Sequence, residues 1–187
     1  SPDHDEDDEV RDGKTVQRVT PYVEDTKNAL VLQPKVALSP EGLVTLQYAL
    51  KRGIESEFQL EEAELAAEPL PDHEHRKTIL FYEAAEGGAG VLIRLVNEPG
   101  ALRRVARRAL EICHFESKSG NWIGKGDLTD KMNDCEAGCY RCLLSYYNQP
   151  EHSLIDRRLE EVLNLLCRLT RAESRRVDSR KGASDSL

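Results

Sequence analysis

The chain has 187 residues, 39 % hydrophobic and 32 % charged, with five cysteines and a formal net charge of −8. That composition supplies one ordinary core and excludes a wholly disordered chain, while the acidic total argues against tight autonomous binding to nucleic acid. No apolar run approaches the roughly 20 residues that cross a bilayer, so no membrane partner is expected.

The charge is unevenly spread, with a balance of −11 over residues 1–99 and +3 over residues 100–187. The second half is therefore the one suited to a polyanion. In chain order, Asp3 to Glu9 holds six acids and a histidine, and residues 1–14 read as a solvated, disordered acidic tail. Val16–Val23 and Ala29–Gln33 read as a hairpin around the polar turn Glu24–Asn28. Ser39-Pro40-Glu41 supplies an N-cap and a first-turn proline, and Leu43, Leu46, Leu50 and Ile54 carry helical spacing, which predicts a helix over about 40–55. Phe58 to Ala67 reads as a strand ending before Pro69, and Thr78–Tyr82, β-branched and aromatic, as a central strand. Glu83 to Gly90 then turns the chain into an apolar helix over Val91–Val96. No Gly-Lys-Ser/Thr follows, so a nucleotide P-loop is excluded. The glycines read as allowing a tight turn and close packing, with an anion cradle at the helix start as the alternative.

Glu98-Pro99 opens a basic helix with Asn97 as its cap. Leu102, Val105, Ala106, Ala109, Leu110 and Cys113 form its buried stripe. Arg103, Arg104, Arg107 and Arg108 lie on the other face, either as phosphate contacts or simply as the wet side of the helix.

Cys135, Cys139 and Cys142 then fall within eight residues, a spacing that lets three thiols reach one tetrahedral Zn²⁺. The fourth ligand is expected from Cys113, with His114 and His152 in reserve. Disulfides fit poorly, because five is an odd number and no secretory leader opens the chain; a cytoplasmic protein is expected. Cys167 reads as a small core side chain on a Leu-rich helix. Four protein ligands would close the coordination shell, so the metal reads as structural and a zinc hydrolase as the disfavoured rival. Arg141 lies inside the metal loop, and Tyr140, Tyr146, Tyr147 and Trp122 could stack bases or cover the zinc subdomain. Ser153–Asp156 reads as a cap for a final helix to about Thr170, and residues 173–187 as a disordered Arg/Ser-rich tail. Both ends read as linkers, and without an initiator methionine a piece of a longer protein is expected. The whole predicts an α+β domain over residues 15–172: a small antiparallel or mixed sheet covered by three to four helices, with a zinc-stabilised loop subdomain.

Tyr82-Glu83, Gly87-Gly88-Ala89-Gly90, the basic helix ending in Cys113, Gly138-Cys139-Tyr140-Arg141-Cys142, and Asn148, His152 and Asp156-Arg157 together resemble one family. This is the zinc-binding C-terminal MZB domain of mitomycin-repair-type superfamily 2 DNA helicases, a module that also occurs in a DISARM phage-defence protein. The resemblance implies a non-catalytic accessory domain with Zn²⁺ on Cys113, Cys135, Cys139 and Cys142. It also implies helicase motor domains or a motor subunit as partner, and a role in handling single-stranded DNA in bacterial DNA repair or phage defence. Two departures stand out. A 21-residue insertion separates Cys113 from Cys135, where the family keeps its first two cysteines nearly adjacent, and Tyr140 replaces the usual proline. A protein-interaction module that docks a motor subunit without touching DNA is the alternative from a different class.

Overall fold

Helix α1, Pro40–Phe58, is the element around which the other parts pack. Ser39 starts it, its Oγ accepting from the Gly42 amide at 2.9 Å, and Pro40 sits where a missing N–H costs nothing. The helix is buried along most of its length, from Leu43 to Glu55, and ends at Gln59, whose left-handed φ of 58° reverses the chain. The computed structural model describes residues 21–175 apart from Val23 and Glu86. The tail read at 1–14, residues 176–187 of the tail read at 173–187, and Val16–Thr20 and Val23 of the expected hairpin lie outside the described residues.

A three-stranded antiparallel sheet lies against α1 in the order β1 (Ala29–Leu32), β3 (Thr78–Glu83), β2 (Leu65–Leu70). β3 is central, as its composition predicts; Ile79, Phe81 and Glu83 point inward while the residues between them are half-buried. β1 pairs with β3, Ala29 opposite Tyr82. The 58–67 reading is corrected. α1 continues to Phe58, and the strand begins at Leu65 and runs through Pro69. Proline is tolerated because β2 is an edge strand, where a missing N–H breaks no ladder.

Helices α2 (Val91–Asn97) and α3 (Ala101–Ile112) follow. Asn97 closes α2 instead of capping α3, whose cap position is Gly100. The α3 stripe Val105, Ala106, Ala109 and Leu110 is fully buried against α1. The approach is so close that a Cβ on Gly53 would meet the Val105 carbonyl at 2.6 Å. Beyond α3 the insertion folds into a small hairpin, β4 (Phe115–Ser117) with β5 (Leu128–Asp130). Asp127 closes it, accepting from the Ser117 and Ser119 hydroxyls at 2.6 and 2.9 Å and from the Ser119 amide at 2.9 Å. The expected last helix starts later than its predicted cap: α4 runs from Glu160 to Leu169, and Ser153 instead lies in a preceding 3₁₀ segment, Tyr146–Leu154. The result is an α+β domain of two small antiparallel sheets and packed helices. Cys167 is fully buried on α4, and burial pushes its thiol up to about 11. None of the described helices is long and apolar enough to cross a membrane.

Candidate metal centre

The metal loop is a run of turns with few apolar residues of its own, so its shape comes from hydrogen bonds. The Cys142 amide donates to the Cys139 carbonyl at 2.9 Å and the Leu144 amide to the same oxygen at 3.1 Å. The Cys139 amide donates to the Cys142 sulfur at 3.0 Å. These bonds curl Cys139–Cys142 so that both thiols point to one place, and the Cys135 thiol reaches it from the preceding turn.

The fourth donor there is His114. Its ligand nitrogen and the sulfurs of Cys135, Cys139 and Cys142 all lie within 4.8 Å of one another. The imidazole arrives because His114 adopts φ 67° immediately after α3, a left-handed turn that His enters more readily than most residues. Its amide bonds back to Glu111 and its carbonyl accepts from Lys131 at 2.8 Å, so the ring swings away from the helix and over the loop. Cys113, one residue earlier, keeps the direction of the buried stripe at 1 % exposure, and its sulfur is outside that set of four donors. Burial pushes the Cys113 thiol up, and the neighbouring Cys142 adds to the effect. His152 is engaged elsewhere, its Nε2 lying 2.8 Å from Asn148 Oδ1 and 3.1 Å from the Ser145 carbonyl.

The four donors fit zinc in chemistry and in size. Sulfurs bound at about 2.3 Å to a tetrahedral ion stand about 3.8 Å apart, and a bound nitrogen and sulfur about 3.6 Å apart. The Cys135 and Cys142 sulfurs are separated by 3.7 Å, and His114 Nε2 lies 3.4 Å from the Cys139 sulfur. Burial opposes the Cys139 thiolate, but hydrogen bonds from His114, the Arg141 amide and the neighbouring thiols outweigh it and bring the thiol down to about 6. Burial pushes Cys142 up to about 12. Bound zinc overrides such differences, because the cation deprotonates the thiols it coordinates.

Beneath the loop lies Arg157, 1 % exposed. Its Nε donates to the Cys135 carbonyl at 2.7 Å, Nη1 to the Cys113 carbonyl at 3.1 Å, and Nη2 to the Met132 carbonyl and Asp130 Oδ2, both at 2.8 Å. Its own amide donates to Ala137 at 2.8 Å, and the guanidinium stacks 5.1 Å from the Phe115 ring. One side chain thus joins the end of α3, the hairpin and the metal loop. Arg52 of α1 adds a bond to the Cys142 carbonyl at 3.2 Å. Arg157 stands out in the sequence only as part of the family resemblance, since an arginine in a polar stretch gives no sign of burial.

The Gly-rich turn serves the fold. The Glu83 carboxylate, 2 % exposed, accepts from the Gly90 and Leu92 amides, both at 2.9 Å. It occupies the anion position at the start of α2 that the cradle reading reserves for a ligand. A Cβ on Gly88 would fall 1.9 Å from Glu83 Oε2, which accounts for that glycine.

The arginines of α3 face carboxylates of their own chain. Arg103 pairs with Glu173, Arg104 with Glu57 and Glu98, and Arg108 with Glu57 and Glu111. Arg107 and Arg141 are exposed, without an ion-pair partner among the described residues. Trp122 is 7 % exposed and belongs to the core, so it offers no face to a base. Tyr140, Tyr146 and Tyr147 are 66 %, 77 % and 71 % exposed.

An α+β domain in which three thiols of one hydrogen-bonded loop meet an imidazole from the end of a helix is a structural-zinc domain, and Zn²⁺ is its cofactor. The chain belongs to the MrfA Zn-binding domain family, whose model matches residues 46–143, just over half of its length. Neither the curated proteins nor the solved structures contain a match to it.

Proposed function

We propose that this is a non-catalytic accessory domain of a DNA helicase or phage-defence protein, in which Zn²⁺ held by His114, Cys135, Cys139 and Cys142 fixes a loop used in handling single-stranded DNA. The observation that carries the reading is the convergence of those four donors within 4.8 Å. Four protein ligands leave no open position for an activated water, and any ATP hydrolysis belongs to motor domains or a motor subunit elsewhere. Zinc here contributes folding free energy to a loop that lacks a core of its own.

Metal content of the purified chain by mass spectrometry tests the ligand set. One zinc per wild-type chain is expected, lost in His114→Ala and in Cys139→Ser and kept in Cys113→Ser. Loss in Cys113→Ser with retention in His114→Ala would replace this set by the four cysteines.

A second reading, a module that docks a motor subunit without touching DNA, draws support from the ion pairs that occupy Arg103, Arg104 and Arg108. Those pairs leave α3 with little free charge for phosphates.

A further inference from the structure

We infer that the surface meeting single-stranded DNA is the tyrosine-bearing knuckle formed by Tyr140, Arg141, Tyr146 and Tyr147, and not the arginine face of α3. The inference rests on the DNA-handling reading above and says which part of the domain performs it.

A tyrosine ring offers a large apolar face with a polar tip, which suits it to interfaces. Three such rings, each at least 66 % exposed, lie within eight residues that begin next to the metal ligand Cys139. They are not loosely tethered. The curled Cys139–Cys142 turn carries Tyr140 and Arg141. Tyr140 packs edge-on against His152 at 5.8 Å, and that imidazole is fixed by Ser145 and Asn148. Ser145 and the buried Asn148 form a reciprocal cap at the start of the 3₁₀ segment that bears Tyr146 and Tyr147, and Asn148 also donates to the Leu143 carbonyl at 2.8 Å. Tyr146 and Tyr147 pack edge to face at 5.9 Å, so the two rings present differently oriented faces. Glu151, farther along the segment, is held by the Tyr48 hydroxyl and the Arg76 guanidinium. A metal loop and a capped turn thus hold the rings with little ordering cost left for binding.

The electrostatics select the occupant. Across residues 137–150 Arg141 is the only charged side chain, and it is exposed with no carboxylate partner among the described residues. Exposed rings beside one free guanidinium suit bases stacked on the rings with one or two phosphates held nearby. It does not suit a duplex, whose phosphates demand a broad basic face. The three paired arginines of α3 would have to break existing ion pairs before contacting a phosphate.

The test is fluorescence anisotropy of labelled dT15 titrated with the zinc-loaded chain, with zinc content and thermal midpoint checked in every variant. Tyr140→Ala, Tyr146→Ala and Tyr147→Ala should each weaken binding roughly five- to a hundredfold, while Tyr146→Phe, which keeps the ring, should bind nearly as wild type. The salt dependence should be shallow, with a log–log slope of about −0.7 to −1.4, as one or two phosphate contacts give on a single strand. If the tyrosine variants bind normally and Arg103→Ala with Arg107→Ala abolishes binding, the knuckle is the wrong surface, although the DNA-handling reading stands. If wild-type protein fails to bind dT15 at low salt, both fall and partner docking takes their place.

Discussion

Replacing Arg157 by methionine keeps most of the side-chain length and removes the charge and all its donors. The guanidinium makes a buried ion pair with Asp130, their side chains 0 % and 20 % exposed. Breaking such a pair from one side costs about 3–5 kcal/mol, because the remaining polar groups stay desolvated. Here the groups left behind include the carbonyls of Cys113, Met132 and Cys135, each worth roughly 1–3 kcal/mol if stranded without water. The exposed end of the loop can rehydrate, so we take the lower figure, about 3–5 kcal/mol. That is a hundred- to several-thousandfold fall in the folded-to-unfolded ratio. Equilibrium unfolding in urea at fixed free zinc, with the slope compared between variants, reads it directly. Asp130→Asn should cost less than half as much, since it leaves the three carbonyls bonded. A loss below about 1 kcal/mol for Arg157→Met would refute the reasoning, for it would mean that the metal alone shapes the loop.

Three further outcomes follow from two carboxylates. Glu83→Ala should destabilise by about 1–3 kcal/mol by stranding the Leu92 and Gly90 amides, and Gly88→Ala should destabilise as well because its Cβ would displace that carboxylate. Urea unfolding reads both, and a neutral result for Glu83→Ala would remove it as the anchor of α2. The bond from Ser117, then those from Ser119 and Ile123, holds Asp127 down at about 2. Its folded value lies below its unfolded one, so its contribution is complete above about pH 4 and fades as the pH falls toward 2. The gap in thermal midpoint between wild type and Asp127→Asn should be full at pH 6 and shrink below pH 4; a gap independent of pH would show that the charge is irrelevant.

Periodicity exposed the elements that bury one face. The stripe of α3, the cap of α1 and the central strand at 78–83 are all legible in the sequence, because each is set by local spacing. The departures arise where tertiary neighbours decide. Pro69 argues against a strand unless the strand is known to lie at an edge, and nothing local to residues 65–70 says so. The divided segment before α4 turns on Ser145 and Asn148 capping each other, a pairing hidden behind the more obvious Ser153. At the metal loop the three clustered cysteines are plain from spacing alone. Cys113 draws attention because it continues the apolar stripe, and that same continuity keeps its sulfur packed in the core. His114 reaches the thiols through a backbone reversal that periodicity does not encode.

Residues 46–143, the segment that matches the family, do not contain all that the domain needs to hold its shape. Arg157 lies beyond that segment, as does Glu161, which accepts from the Ser39 amide at 3.1 Å and from its hydroxyl at the start of α1. A fragment trimmed to the matched bounds would carry His114 and the three clustered cysteines and neither tie. The same order governs birth on the ribosome: His114 and the three cysteines emerge before Arg157 does.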